Sequence, residues 1–329
     1  MEPGGVAVVG TFTADIVIHG LGRIAEPGGV VYLDEPPAIE PGGHAVNVAI
    51  DLSRLAAGVP IASIGAVGRD LFAEILESAL REWNVKPLLE RHDVGTARNA
   101  IIVVKGEDRR FHVYRGANSR LSAAHVVESI SRLEPRILYI SVGFSRSVDD
   151  SLETVLEEAR RHAELVYLDP AYTEPSSIAP LRKVLSQADV VHLNTAELRI
   201  LTGIRDPEEA LKIVAKKARL AAVVTSERGV MAASRALNTI ISQKSFKVNV
   251  VDPTGAGDAF SAGFISQFIN EGISDAESLA RALLTAQAAG AAAVSMPGAT
   301  RGVSPTTVRA LVESQGREIL ESTEIKSLE

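Results

Sequence analysis

Residues Val250–Phe264 read VVDPTGAGDAFSAGF and combine the end of an apolar run, a glycine turn and the start of a helix. The apolar, β-branched run Phe246–Val251 that leads into it predicts a strand. Gly255-Ala256-Gly257 follows, and Asp258 opens an apolar helix. Glycines let backbone N–H groups converge, and a helix N-terminus adds roughly half a positive charge. The stretch therefore predicts a site for a phosphate group.

Asp258 places a carboxylate beside this predicted anion site. It either complements the helix dipole, as acidic residues in a first turn often do, or acts as a general base next to a phosphoryl group in transfer. The chain lacks the pattern G-x-x-x-x-G-K-[ST], which excludes a Walker-type nucleotide site. DPTGAGDAFSAGF resembles the C-terminal signature of the ribokinase-like (PfkB) family of carbohydrate and nucleoside kinases. The resemblance implies that Asp258 is the base and that the transferring group is stabilised by the amides of Gly255, Ala256 and Gly257.

Composition narrows the class of protein. Of 329 residues, 46% are hydrophobic and 23% charged, which is typical of a folded globular chain. A net charge of −7 argues against a nucleic acid or an anionic membrane as partner. The absence of cysteine excludes disulfides, thiolate metal sites and a cysteine nucleophile. The N-terminal sequence does not resemble a signal peptide, and no apolar run is long enough to span a membrane, so we expect a cytoplasmic protein.

Apolar runs alternate with amphipathic segments along the chain. Strands are predicted at 137–142, 165–169, 190–193 and 221–225, with helices near 122–133, 147–162, 175–187 and 207–218 between them. This alternation predicts parallel strands with helices on both faces. Further strands are predicted at Val6–Val9, Val30–Leu33, Ile61–Val67, Ala100–Val104 and Arg110–Tyr114.

The order of these elements is similar to that of the ribokinase-like family over nearly the whole length. The resemblance implies a single domain, residues 1–329, with a doubly wound α/β/α sandwich. It also implies a small β-sheet lid, formed by segments about 12–41 and 96–116. The exposed edges of such a lid favour a homodimer formed through the lid.

A first family signature is present as PGGHAVN at Pro41–Asn47. Read alone, the two glycines are a turn and the asparagine is a surface residue. The hydroxyls of a sugar need carboxylate and amide partners, because an apolar pocket would leave them unpaired. The resemblance implies that the substrate is held by Asp15, Gly42, Gly43, Asn47, Arg98 and Asn118.

Asn194-Thr195-Ala196-Glu197 fits two interpretations. Its local pattern is that of a capping box, whereas its likeness to the N-x-x-E motif of the family implies that Asn194 and Glu197 hold Mg²⁺ through water. Val223–Gly229 resembles the nucleotide-binding stretch T-L-G-x-x-G but is one residue shorter and lacks the first glycine. The residues that the resemblance assigns to the nucleotide are Asn194, Thr225, Ser226, Gly229 and Gln287. It assigns a monovalent cation such as K⁺ to Asp252, Thr254, Ala293, Met296 and Gly298.

Together these features predict a kinase that transfers the γ-phosphate of ATP, with Mg²⁺, to a hydroxyl of a small sugar or sugar acid. A nucleoside kinase is the alternative on the same fold. Its substrate base would need a stacking partner, for which the sequence offers Phe12, Phe144 and Tyr172. A non-catalytic relative has no need for Asp258, and a dinucleotide-binding oxidoreductase would carry G-x-G-x-x-G where this chain has GTFTAD.

Overall fold

The computed structural model describes residues 4–107 and 109–328, and within them ten strands form one sheet and four strands a second. The strands are β1 (Val6–Val9), β2 (Thr13–Leu21), β3 (Ala38–Gly42), β4 (Ile61–Val67), β5 (Lys86–Arg91), β6 (Ala97–Val104), β7 (Arg110–Tyr114), β8 (Ile137–Val142), β9 (Leu165–Pro170), β10 (Val190–Asn194), β11 (Ala221–Ser226), β12 (Gly229–Ser234), β13 (Thr239–Lys244) and β14 (Glu324–Lys326). The helices are α1 (His44–Leu55), α2 (Leu71–Glu82), α3 (Ala123–Leu133), α4 (Arg146–Asp150), α5 (Leu152–Arg160), α6 (Pro175–Ile178), α7 (Leu181–Val184), α8 (Thr195–Thr202), α9 (Pro207–Ala215), α10 (Ala256–Glu271), α11 (Ala276–Val294), α12 (Pro305–Leu311) and α13 (Arg317–Glu321).

The large sheet has the order β14-β13-β12-β11-β10-β9-β8-β1-β4-β5. In this order, the strands from β11 through β1 to β5 are parallel to one another. Strands β12, β13 and β14 add an antiparallel edge. Strands β1, β4 and β8 are buried along their whole length, as expected for parallel strands covered on both faces. One face packs against α3, α5, α8 and α9, and the other against α1, α2, α10 and α11. The doubly wound α/β/α sandwich is confirmed.

The small sheet has the order β3-β2-β6-β7. It is built from the two segments of the chain that the prediction assigned to a lid. Strand β2 pairs parallel with β6, and β3 and β7 form its edges. Phe111 and Val113 on β7 are 47% and 51% exposed and lie against the cleft described below. The small sheet therefore presents apolar side chains towards that cleft.

Two predicted strands are wrong. Residues 30–33 adopt no regular structure, and neither do residues 245–250 before the glycine turn. The Phe246–Val251 run is apolar, but its backbone groups bond outside a sheet. The N–H of Lys247 donates to the side chain of Gln315, and the N–H of Val251 donates to the carbonyl of Val294.

The structure also differs from the prediction at the two edge strands of the large sheet and at helices that are interrupted. Strands β5 and β14 lie at the two edges of the large sheet and were not predicted, because an edge strand needs no continuous apolar run. The helix predicted near 147–162 is divided into α4 and α5, and that near 175–187 into α6, α7 and a 3₁₀ turn. A π-helical turn at Val312–Gly316 separates α12 from α13.

Candidate active site

A cleft of about 520 Å³ lies at the carboxyl ends of β1, β9, β10 and β11, between these strands and the small sheet. This edge is where open α/β sheets bind their ligands. The N-terminus of α10 forms its floor. The predicted site residues that line the cleft are Asp15, Gly43, Asn47, Asn194, Glu197, Thr225, Thr254, Gly255, Ala256, Gly257 and Asp258.

The glycine turn at the start of α10 requires a glycine at its first position. Gly255 has φ 79° and precedes the first helical residue, Ala256. A Cβ atom on Gly255 would lie 2.3 Å from the carbonyl oxygen of Ala299, which is closer than any real contact. The first amides of a helix have no acceptor within the helix. Those of the Gly255–Asp258 turn therefore face the cleft as donors for an anion.

Asp258 is a buried carboxylate in the first turn of α10. Its Oδ2 accepts a hydrogen bond of 2.8 Å from Nδ2 of Asn47, which lies 211 residues away in the sequence. Burial raises the pKa of Asp258; His44 and Asn47 offset part of this rise. A buried carboxylate with a raised pKa and one fixed partner is suited to accepting a proton.

Asp15 on β2 faces the same cleft and accepts a 2.7 Å hydrogen bond from Nδ2 of Asn99 on β6. Burial raises the pKa of Asp15 to about 6. The bond from Asn99 lowers this pKa, whereas the negative charges of Asp252 and Asp258 raise it. Asp15 and Asn99 together offer a sugar hydroxyl both an acceptor and a donor.

The turn before α1 brings Asn47 to Asp258. Gly43 has φ 93°, and a Cβ atom there would lie 2.4 Å from the carbonyl oxygen of Thr11. The N–H of His44 donates to Oγ1 of Thr11, which fastens the helix start to the end of β1. Gly42 pairs with Thr13 between β3 and β2, so it shapes the sheet beside Asp15.

A buried polar network crosses the floor of the cleft and was missed from the sequence. Nδ1 of His192 lies 3.2 Å from Oδ2 of Asp169, and Nε2 of His192 lies 3.1 Å from Oγ1 of Thr225. Ser261 on α10 donates to the same Asp169 oxygen. The only sequence signal was that Asp169 and Thr225 come near the carboxyl ends of β9 and β11.

Asn194 and Glu197 form the capping box, which confirms that interpretation of the motif, and both also line the cleft. Glu197 accepts a further 2.8 Å bond from Oγ1 of Thr173. Burial, and then the charge of Asp169, raise the pKa of Glu197. No group of three or more metal-ligating side chains occurs among the described residues. Asn194 and Glu197 carry oxygen atoms at the cleft, and oxygen is the ligand type that Mg²⁺ accepts together with its own waters.

Arg98 and Asn118 do not line the cleft. Successive residues of a strand face opposite sides, and Arg98 stacks on Phe72 and Tyr114 while its neighbour Asn99 faces Asp15. Asn118 is buried; its Oδ1 accepts the N–H of Phe12, which fixes the connection from β1 to β2.

The predicted nucleotide residues are divided between two places. Thr225 lies in the cleft, whereas Ser226 and Gly229 line a neighbouring groove. Gln287 is buried and donates a 3.0 Å hydrogen bond to Gln243, which lines that groove. Of the predicted stacking partners, Phe12 and Phe144 are buried in the core, and Tyr172 lines the cleft.

Among the residues predicted to hold a monovalent cation, Asp252 is surrounded by donors. The carboxylate of Asp252 accepts the N–H and the hydroxyl of Thr254, at 2.9 and 2.6 Å, and the N–H of Gly298, at 3.0 Å. Arg109 adds a guanidinium contact of 2.7 Å to the same carboxylate. These partners are all donors, so a metal ion at this carboxylate would meet N–H groups and a positive charge. Met296 is 49% exposed, and Ala293 is buried.

Comparison with known proteins settles the family. The model of the pfkB family carbohydrate kinases matches residues 5–307. The chain belongs to this family. It is an ATP-dependent sugar kinase, as the sequence predicted, and the nucleoside kinase alternative is not favoured.

Relatives of this family are similar over most of their length. Fructokinase-1 of Zea mays is 30% identical over 82% of this chain and 87% of its own. The ribokinase of Haemophilus influenzae is 27% identical over 91% of this chain and 94% of its own. A ribokinase II from E. coli, solved with ATP and Mg²⁺, is 25% identical and superposes with a TM-score of 0.78 over 94% of this chain and 99% of that one. No helix among the described residues is both long and apolar enough to cross a membrane.

Proposed function

We propose that this kinase phosphorylates a hydroxyl of a small neutral sugar of the size of fructose or ribose, with Asp258 as the general base. The observation that carries the proposal is the position of Asp258. It is buried at the floor of the cleft, in the first turn of α10, and held by Asn47. The base and the donors for the phosphoryl group therefore belong to one rigid turn.

In the proposed reaction, Asp258 takes the proton of the acceptor hydroxyl as its oxygen attacks the γ-phosphorus. The bond from that phosphorus to the leaving oxygen of ADP breaks in line. The amides of Gly255, Ala256 and Gly257 donate to the oxygens of the transferring group. Loss of one well-placed donor of this kind typically lowers kcat by roughly 10²- to 10³-fold.

The charge of the cleft favours a neutral sugar over a sugar acid. Among the described residues that line it, none is lysine or arginine. The carboxylate of a sugar acid would instead meet the acidic side chains of the cleft, which are Asp15, Asp169, Glu197 and Asp258. Asp15 with Asn99 and the amide of Asn47 are polar partners for neutral hydroxyls. Fructokinases and ribokinases among the relatives support this substrate class.

The same acidic lining supports a requirement for Mg²⁺. Glu197 and Asn194 would hold the ion through its waters. When bound, Mg²⁺ neutralises charge on the phosphates of ATP, which otherwise would face several carboxylates. We do not propose K⁺ as a cofactor, because the partners of Asp252 are donors.

We further propose that the small sheet closes over the bound sugar as a lid on a single domain, and that two chains associate through the lid edges β3 and β7. The apolar side chains of β7 support closure, since they would cover the substrate and exclude water. Gel filtration with light scattering tests the dimer, and a monomer at micromolar concentration would contradict it. Because ATP is consumed, we also expect a cytoplasmic location, which cell fractionation tests.

The substrate proposal is tested by measuring ADP formation with Mg²⁺ and a panel of fructose, ribose, 2-keto-3-deoxygluconate and adenosine. We expect kcat/KM to be highest for a neutral sugar and at least about tenfold lower for the sugar acid and the nucleoside, from the loss of one polar contact or more. Preference for the sugar acid or for adenosine would contradict the proposal.

A further inference from the structure

An ion pair joins the small sheet to the turn that precedes the anion site. Arg109 lies in the hairpin between β6 and β7, and its Nη1 is 2.7 Å from Oδ1 of Asp252, 143 residues away. The guanidinium also donates to Oγ1 of Thr254. Both members of the pair are only 19% exposed. The bond is therefore largely shielded from water and is worth more than an ion pair on the surface.

Asp252 connects the turn before α10 to the loop after α11. Its carboxylate binds the N–H and hydroxyl of Thr254, directly before Gly255, and the N–H of Gly298 in the loop after α11. Burial would raise the pKa of Asp252, but these hydrogen bonds and the charge of Arg109 together hold it below its usual range. Among these partners of the carboxylate, Arg109 is the positively charged one.

A second ion pair with reversed polarity links the same parts. Glu40 on β3 of the small sheet contacts Arg301, which lies in the loop after α11. Arg109, Glu40 and Arg301 line one cavity between the small sheet and this loop. The small sheet is therefore fastened at two places to the segments that flank the glycine turn.

We propose that Arg109 is a positioning residue that supplies a positive charge from the lid to the Asp252–Thr254 turn. The anion site is then assembled when the lid docks, and it needs no monovalent metal ion. This inference rests on the proposed function of the Gly255–Asp258 turn. It assigns a role to Arg109, which among the described residues is the partner that reaches Asp252 from the small sheet.

The expected effect is on kcat rather than on sugar binding. Thr254 is bonded to Gly255, so a shift of the Asp252–Thr254 turn displaces the amides that receive the phosphoryl group. Misplacement by about 1 Å can cost roughly 10²-fold in rate. The sugar contacts of Asp15, Asn99 and Asn47 do not involve Arg109, so KM for the sugar should change little.

The test compares wild type, Arg109→Gln, Arg109→Lys and Arg110→Gln in KCl, NaCl and tetramethylammonium chloride at equal ionic strength. Arg110→Gln is the matched control, since it removes the same charge from the same hairpin but from a side chain that contacts Glu107. We expect wild-type kcat to agree within about twofold in the three salts. For Arg109→Gln we expect kcat to fall roughly 10- to 100-fold in tetramethylammonium, with KM for the sugar nearly unchanged, and to recover partly in KCl. Arg109→Lys should retain more activity, and Arg110→Gln should resemble wild type.

Thermal unfolding gives a second measurement that does not depend on turnover. KCl should raise the melting temperature of Arg109→Gln relative to tetramethylammonium by about 2–4 °C, and should not do so for wild type. If the wild type phosphorylates no sugar, the proposed function fails, and this melting comparison still tests the role of Arg109.

Three results would overturn the inference. One is a wild-type kcat stimulated more than about tenfold by K⁺, because the metal ion would then supply the charge. Another is an Arg109→Gln variant with unchanged kcat, or with no greater loss than Arg110→Gln. The third is an equal stabilisation of wild type and Arg109→Gln by K⁺.

Discussion

At the scale of single residues, two of the buried carboxyl groups in the cleft, Asp15 and Asp258, have different surroundings. Burial raises the pKa of both Asp15 and Asp258. Asp15 is bonded to Asn99, beside the space proposed for the sugar, whereas Asp258 lies among the amides at the start of α10. Burial therefore disfavours the charged form of both groups, so ionising either one in the folded protein costs stability.

Replacement of Asp15 by Asn should remove the loss of stability that comes from burying a charged carboxylate. The folded-state pKa of Asp15 is about 6, above the ordinary value of 3.8, so its contribution to stability is fully present below pH 3.8 and is lost as the pH rises through 6. Asp15→Asn should therefore be more stable than wild type at pH 8, by about 1–3 kcal/mol, and no more stable near pH 4. Urea unfolding at the two pH values measures the difference.

The same variant should bind sugar less well. Loss of a hydrogen bond to a charged group costs about 1.5–3 kcal/mol, so KM for the sugar should rise roughly 10- to 100-fold. A variant that is no more stable at pH 8, with an unchanged KM, would show that Asp15 neither carries the raised pKa nor contacts the substrate.

Site residues that are consecutive in the chain could be predicted from the sequence, whereas those that come from separate strands could not. Gly255–Asp258 are consecutive, and their glycine spacing alone indicates a phosphate site. Asn99, Asp169 and His192 come from three separate strands and carry no local motif. Their roles follow only from the pairing of β2 with β6 and of β9 with β10, which the sequence does not display.

At the scale of elements, the two faces of β6 have different neighbours. Asn99 faces Asp15 in the cleft, while Arg98 stacks on Phe72 and Tyr114. We expect Asn99→Ala to raise KM for the sugar by about 5- to 20-fold, because one polar contact and the support of Asp15 are lost. Arg98→Ala should leave KM unchanged and lower the melting temperature. If Arg98→Ala alone raises KM, the assignment of the two faces is wrong.

The glycine turn at the start of α10 gives a second prediction at this scale. Gly255→Ala places a Cβ 2.3 Å from a carbonyl oxygen, whereas Gly272, at the other end of α10, has φ 69° and no heavy atom within 4 Å of a built Cβ. Gly272→Ala therefore controls for backbone strain alone, about 1–2 kcal/mol. We expect Gly255→Ala to lower kcat by at least about 10²-fold, and Gly272→Ala to keep kcat within about twofold. Equal kcat values for the two variants would contradict the proposed role of the turn.

Regular elements with two buried faces were predictable, and irregular ones were not. The strands β8, β9, β10 and β11 are apolar along most of their length, so their pattern is unmistakable. The run Phe246–Val251 has the same composition but is not a strand, because its N–H groups are bound by Gln315 and by the end of α11. Tertiary contacts decided its structure against its β-propensity.

At the scale of the whole molecule, the site exists because two sheets meet. The parallel sheet gathers loops at one edge, and the small sheet covers that edge with residues from β2, β6 and β7. The alternation of strands and helices predicted the first sheet. The contacts between the sheets, Arg109 with Asp252 and Glu40 with Arg301, join residues 143 and 261 positions apart. Such contacts have no signal in a single sequence.

The central claim is that Asp258 removes the proton from the sugar hydroxyl, and the most direct test is kcat of Asp258→Asn. Asn preserves the shape of the side chain but cannot accept the proton, so kcat should fall by roughly 10²- to 10⁴-fold, while the dissociation constants of sugar and ATP stay within about threefold. Asp149→Asn is the matched control, because Asp149 is a partly buried aspartate whose pKa is raised to about 6, and it does not line the cleft. It should retain wild-type kcat. An Asp258→Asn variant that turns over sugar within about threefold of the wild-type rate would contradict the account.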